Sequence, residues 1–287
     1  MSTQQSSIDP ATHIGRVALV VSDLARSLDY YQSRIGLQIL DQSANHASLG
    51  VDGRELLWLQ EQPGVRPFPQ RGYSGLYHYA ILLPSRLALG VELRHLAETG
   101  TPISGASDHG VSEALYLTDP DGHGIEIYRD RSRDEWPRLA NGELAMVTEA
   151  LDVRGVLAAG GDLTWNGLPA ETTMGHIHLH VANVSKAEEF YVGILGFDLI
   201  QHFGAQAAFI SAGGYHHHIG MNVWAGMGVP PAPEDIARLL WYEIVLPDAE
   251  ALEAVLERVR AAGLPVEAHD LGWMVRDPSQ NRVVLRT

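Results

Sequence analysis

Short runs in which apolar and polar residues alternate, bounded by Gly, Pro, Asn and Asp, are interleaved along the chain with stretches whose apolar residues return every three or four positions. The first pattern predicts half-buried strands and the second amphipathic helices. In Gly175-His-Ile-His-Leu-His-Val181, for example, alternation puts His176, His178 and His180 on one face and Ile177, Leu179 and Val181 on the other. In Ala249–Ala262, Leu252, Val255, Leu256 and Val259 form a helical stripe.

These patterns repeat. Val17–Leu40 matches Ile177–Ile200 at a constant offset, pairing Val21 with Val181, Asp23 with Asn183, Tyr31 with Tyr191, and Gly36 with Gly196. Asp23 and Asn183 read as helix starts, and the two glycines as helix ends. A second pair aligns Tyr79–Pro84 with Tyr242–Pro247, then Asp119-Pro120 with Asp277-Pro278, after loss of residues from the loop that carries His109. The chain therefore reads as four strand–helix–three-strand units at about 13–62, 75–130, 174–226 and 239–287. In domain terms this predicts an N-terminal tail (1–12), a first domain of units one and two (13–130), a connecting segment (131–173) and a second domain of units three and four (174–287). Within the connection, Glu143–Ala159 is expected to be helical and Gly160–Glu171 a turn-rich linker.

Composition narrows the chemistry. Cysteine is absent, so disulfides, thiolate ligands and a cysteine nucleophile are excluded, leaving 14 His residues and the carboxylates as metal ligands. A formal charge of −15 with no basic stripe argues against nucleic acid as a partner. Residues 1–7 lack the pattern of a signal peptide, and no apolar run is long enough to span a bilayer, so a cytoplasmic protein with no membrane partner is expected.

Four tandem βαβββ units, one closing in Asp119-Pro-Asp-Gly-His-Gly-Ile-Glu-Ile-Tyr128, resemble the vicinal oxygen chelate superfamily, which includes glyoxalases, extradiol ring-cleaving dioxygenases and bleomycin-resistance proteins. More narrowly, the stretches Gly75–Pro84, Asp108–Tyr128, Gly175–Val181 and Gly213–Gly226 are similar to the catechol 2,3-dioxygenase branch found in bacilli. The resemblance implies an α+β fold in which paired units form two incomplete barrels around one divalent metal. Because isomerases, lyases, oxygenases and non-catalytic binders share that fold, function must be argued from the site.

Extradiol enzymes take their metal ligands from the first strands of two paired units and the last strand of one. The matching positions here are His78, Glu126 and His176. Two histidines and a carboxylate leave open positions for substrate and O2, the arrangement used by non-haem Fe(II) oxygenases. The repeat supplies a control, since the equivalent positions hold Trp241, Val284 and Arg16, none a useful iron ligand. The resemblance further implies an acid/base histidine near the end of unit three, either His218 or His217, and an assisting pair His109 and Tyr116 on the hairpin of unit two. In unit four the loop bearing His109 is missing and Met274 replaces Tyr116. Trp224, Phe209 and Tyr128 are expected to line the pocket; His178 reads equally as a support for the ligands or as packing, His123 as turn surface and His13 as a strand start.

For His176 to meet His78 and Glu126, units two and three must share a barrel, and 131–173 is long enough to permit this. The expected activity is extradiol cleavage of a small aromatic diol by O2, with Fe(II), or alternatively Mn(II), as the metal. A glyoxalase-type isomerase or lyase, or a binding protein, is the rival reading, and a homo-oligomer is left open.

Overall fold

A computed structural model describes residues 7–287, and within it the four units appear as expected. Each unit is a strand, a helix and three further strands, and its first strand pairs in parallel with its last. The first helices of units one and three are capped by the Asp23 and Asn183 side chains, which accept from the Arg26 and Lys186 amides. Both helices end in a widened turn followed by glycine with positive φ, 85° at Gly36 and 93° at Gly196, a conformation that favours a residue without Cβ. Longer helices over Arg86–Glu98 and Ala249–Ala261 are capped by Ser85 and Asp248. The latter buries Val255, Leu256 and Val259 from the expected stripe.

Units pair across the sequence halves. Units two and three build a nine-stranded sheet, joined where Thr173–His180 runs antiparallel to Gly75–Leu83. Units one and four build an eight-stranded sheet, joined where His13–Val21 runs antiparallel to Leu239–Val245. The spans 13–130 and 174–287 are thus halves along the chain, and each sheet takes one unit from each half. Between the sheets lies the main apolar core, to which the first strands contribute Ile177 and Leu179 from unit three and Tyr79 and Ile81 from unit two. The opposite faces of those strands carry His176, His178, His78 and Ala80.

Within each half, the repeated tyrosines and aspartates form a polar bolt. Tyr79 OH donates to Tyr31 OH at 3.1 Å, and Tyr31 OH donates to Asp119 Oδ2 at 2.8 Å. The second half repeats it, with Tyr242 OH donating to Tyr191 OH at 2.8 Å and Tyr191 OH to Asp277 Oδ2 at 3.1 Å. All four tyrosines are fully buried, which accounts for their recurrence in the sequence pattern.

Several local expectations are corrected. The helix expected within Glu143–Ala159 is confined to Val153–Ala159, because Glu149–Ala150 instead adds a short strand to the sheet edge at Ser107 and Asp108. His123 is buried, not turn surface, and its Nε2–H donates to the Val20 carbonyl at 2.9 Å, tying the turn of unit two to unit one. Part of the predicted tail, residues 1–6, lies outside the described residues; beyond it, Ile8 is buried and its amide donates to the Gly196 carbonyl. No helix is long and apolar enough to cross a membrane among the described residues.

A buried acid adds a pH dependence to stability. Glu92, on the Arg86–Glu98 helix, accepts from Trp165 Nε1–H at 2.7 Å through one oxygen, while the other is buried without a hydrogen-bond partner. Burial pushes this carboxyl up to about 8. Below the ordinary carboxylate range the group is protonated in both folded and unfolded chains. As pH rises from there towards 8, only the unfolded chain ionises, so stability falls by on the order of 1 kcal/mol per pH unit and then levels off. Glu92→Gln is expected to abolish this fall, leaving the variant more stable than the parent at pH 8 but not at pH 4, as checked by urea midpoints at both values.

Candidate metal centre

The register of three strands assembles the site. Ala80, in the middle of Gly75–Leu83, lies opposite His176 on one side and Glu126 on the other, and His78 lies opposite His178. Period-two alternation then points His78, Glu126 and His176 from adjacent strands towards one place. Their candidate donor atoms all lie within 4.8 Å of one another, and all three side chains are buried. Glu126 Oε2 is 3.0 Å from His78 Nε2 and 3.1 Å from His176 Nε2.

These residues fit a divalent ion. Donor atoms with bonds of ~2.1 Å, set at right angles about one ion, would lie about 3 Å apart, which is the separation found between Glu126 and each histidine. His78 Nε2 is buried without a hydrogen-bond partner, being close to Glu126 but misaligned for a bond, so its lone pair is free for a ligand. Burial also lowers the His78 pKa, favouring the neutral ligating form. At Glu126 burial acts to raise the pKa, but the adjacent His176 and His78 outweigh it and hold the carboxyl well below its usual range. In the other sheet the matching Arg16 pairs with Glu243 and Glu55, so a fixed cation and its carboxylates replace any ion.

His78 and Glu126 line a cavity of about 400 Å³, and His176 adjoins it through Glu126 and His217. His217 and Tyr116 both line it, His217 with its ring centre 4.1 Å from that of His176 and Tyr116 5.6 Å from His78, so each half of the site carries one proton-bearing group. Tyr116 OH lies 2.7 Å from His109 Nε2, and His109 Nδ1 lies 2.8 Å from the Val147 carbonyl. Since a carbonyl can only accept, neutral His109 has its proton on Nδ1, and Tyr116 donates to the bare Nε2. His218 does not line the cavity. Its Nδ1 accepts from the Ala212 amide, and its ring packs on Tyr215. Between the two histidines left open at the end of unit three, geometry therefore favours His217.

Phe209 and Trp224 line the cavity as expected, whereas Tyr128 does not; its hydroxyl is 2.7 Å from that of Tyr215. His178 also faces the cavity. Its Nε2 accepts from Asn222 at 2.9 Å, and burial drives its pKa well below the ordinary histidine value, so it is a neutral wall residue. Gly220 makes room for that ring, since a Cβ there would lie 2.8 Å from it.

Other lining residues escaped sequence reasoning. Tyr77 alternates with His78 and should point away, but the pairing steps from His178–His78 to Leu179–Leu76, leaving Tyr77 as the extra residue of a bulge that re-aims it into the cavity. Met146, Val147 and Thr148 come from the connecting segment. They are clasped to unit three by Gln201, which accepts from the Met146 amide at 3.0 Å and donates to its carbonyl at 3.2 Å. No local pattern in 131–173 signals that role.

Paired βαβββ units, with a buried His–Glu–His cluster beside a cavity, define a repeat-built fold that carries a candidate metal site. The sequence matches the Glyoxalase/Bleomycin resistance protein/Dioxygenase superfamily over residues 13–127 and 173–285, and the chain belongs to that family. It is 47% identical over 275 residues to a catechol-2,3-dioxygenase of Bacillus subtilis (strain 168), an alignment covering 95% of this chain and 96% of that protein. Similar solved structures include a candidate dioxygenase from Bacillus subtilis subsp. subtilis str. 168 (TM-score 0.67, 14% identity, covering 98% of this chain and 86% of that one). Another is glyoxalase I from Zea mays (TM-score 0.57, 17% identity, covering 96% and 92%). At these identities the structural likeness establishes the fold alone.

Proposed function

We propose that the protein is an Fe(II)-dependent extradiol dioxygenase that opens catechol-type rings beside the two hydroxyls, with Mn(II) as the alternative metal. The observation that carries this reading is the convergence of His78, Glu126 and His176 beside a cavity that His78, Glu126, His217 and Tyr116 line. The high identity to a catechol-2,3-dioxygenase supports it.

When bound, the metal would chelate adjacent oxygens of the diol and let electrons pass from the ring to O2. The chain's own residues handle protons and position. His217, neutral because burial depresses its pKa, is suited to take a proton from a catechol hydroxyl. Tyr116, whose hydroxyl stays protonated because burial and the Glu126 charge raise its pKa, gives that proton to the bond with His109 and is suited to accept a hydrogen bond from a hydroxyl of the diol. His109 fixes the direction of that hydroxyl. Both oxygen atoms of O2 enter the product and the ring supplies the electrons, so no external reductant is needed.

The wall indicates which diols enter. Among the described residues no Lys or Arg lines the cavity; its wall includes Tyr77, Phe209, Trp224, Met146 and Val147. The substrate is therefore a catechol whose substituents carry no negative charge.

Mixing anaerobically Fe(II)-loaded protein with catechol and O2 is expected to give a yellow ring-fission product. Absence of product, or equal activity with Zn(II), would reject the oxygenase in favour of a Lewis-acid isomerase or lyase. Replacing the proposed base by His217→Asn is expected to lower kcat by ~10²–10⁴-fold, read by the same absorbance assay, with the iron content unchanged.

A further inference from the structure

Behind His217 runs a chain of hydrogen bonds whose donors and acceptors can be assigned one by one. Asp130 Oδ1 is 2.8 Å from His216 Nε2, and Tyr215 OH donates to Asp130 Oδ2 at 2.8 Å. Tyr128 OH, 2.7 Å from Tyr215 OH, must be the donor to it, because Tyr215 has its own proton committed to Asp130. His216 is almost completely buried, with the Trp136 ring 5.5 Å away. Its Nδ1 is 2.8 Å from Nδ1 of His217.

A carboxylate has only lone pairs to offer, so the proton of neutral His216 sits on Nε2, facing Asp130. The Nδ1 of His216 is then an acceptor, and the proton between the two rings belongs to His217 Nδ1. This leaves Nε2 of His217 bare.

We propose that Asp130 and His216 are positioning residues that lock His217 in the tautomer whose Nε2 lone pair is available at the cavity. The free imidazole ring has no such constraint, and the opposite tautomer would present an N–H where a base is required. The lock acts equally after proton capture, since the Nδ1–H bond to His216 is kept in the imidazolium. Asp130 and His216 come from the strand end after Glu126 and from the turn of unit three, so the lock, like the metal cluster, spans both units.

The role given to the tautomer rests on the ring-cleaving reading, but the tautomer itself is measured without turnover. Long-range proton–nitrogen NMR on the full chain, labelled with 15N-histidine and recorded before and after Zn(II) loading, reports which ring nitrogen carries hydrogen; the signals missing in His217→Asn identify His217. Expected for the parent is Nδ1–H and bare Nε2 at His217. His216→Leu removes the acceptor and should shift His217 towards Nε2–H. His216→Asn, whose Oδ1 falls close to the position of the imidazole Nδ1, should restore the parent pattern. In the Fe(II) enzyme kcat should fall about 10–100-fold in His216→Leu, with KM little changed, and recover in His216→Asn. Nε2–H at His217 in the parent, or a bare Nε2 that persists in His216→Leu, overturns the proposal whether or not the protein cleaves rings. A kcat loss that His216→Asn does not recover also overturns it.

Discussion

Glu126→Gln is expected to leave a folded protein that holds almost no iron and forms no ring-fission product. The change is nearly isosteric, so the sheet should survive, but it removes the one negative ligand. Glu126 is also the hinge of the cluster, the only residue among those described whose carboxylate approaches both histidines, at 3.0 and 3.1 Å. Loss of an outer hydrogen-bond partner of a ligand costs ~10–100-fold in metal affinity or activity, and loss of a charged ligand should exceed that. Metal analysis after Fe(II) loading, the absorbance of product and far-ultraviolet circular dichroism together check the result. Retained iron with full activity would remove Glu126 from the metal set, and a lost fold would assign it to the sheet.

A comparably large effect is expected between substrates. 4-Methylcatechol should be cleaved with a kcat/KM about 100-fold or more above that of 3,4-dihydroxyphenylacetate. Both present the same diol, and only the second brings a carboxylate into a cavity with no Lys or Arg in its described wall. An ion taken from water into protein without a partner costs several kcal/mol, and about 3 kcal/mol corresponds to a factor of about 100. Gln70, exposed at the rim of the cavity and engaged in no side-chain hydrogen bond among those found, is the place to test the cause. Gln70→Arg is expected to raise kcat/KM for the acid while leaving the neutral diol nearly unchanged. Equal rates on both diols with the parent would show that the carboxylate stays in solvent.

Much of this site could be read from the sequence because it rests on strands. Alternation separated the two faces of the strands that carry His78, Glu126 and His176, the resemblance singled out those three as ligands, and the repeat showed that their counterparts Trp241, Val284 and Arg16 form no such set. The pairing of units two and three followed from demanding that those ligands meet, and the antiparallel contact of Thr173–His180 with Gly75–Leu83 provides it. What escaped depends on breaks in regularity or on distant contacts. Tyr77 is turned inward by a bulge, which alternation cannot register. His217 and His218 are neighbours on an irregular turn, where only the surrounding packing decides which one meets the cavity. His123 reads as surface in its turn, yet it is fully buried and bonded to Val20 of unit one. The wall from Met146 to Thr148 depends on Gln201, far away in the chain.

The two kinds of joint between units have a topological consequence. Polar bolts tie unit one to two and three to four, while the two sheets tie two to three and four to one. The four units therefore form a closed ring of contacts, and no cut between the halves spares it. A fragment ending before residue 174 would keep His78, Glu126, His109 and Tyr116, yet it would bare the edge of Gly75–Leu83 and invite another copy to pair there. The candidate site thus needs both halves, and a truncation between them removes His176 and His217 while it leaves an edge open to self-association.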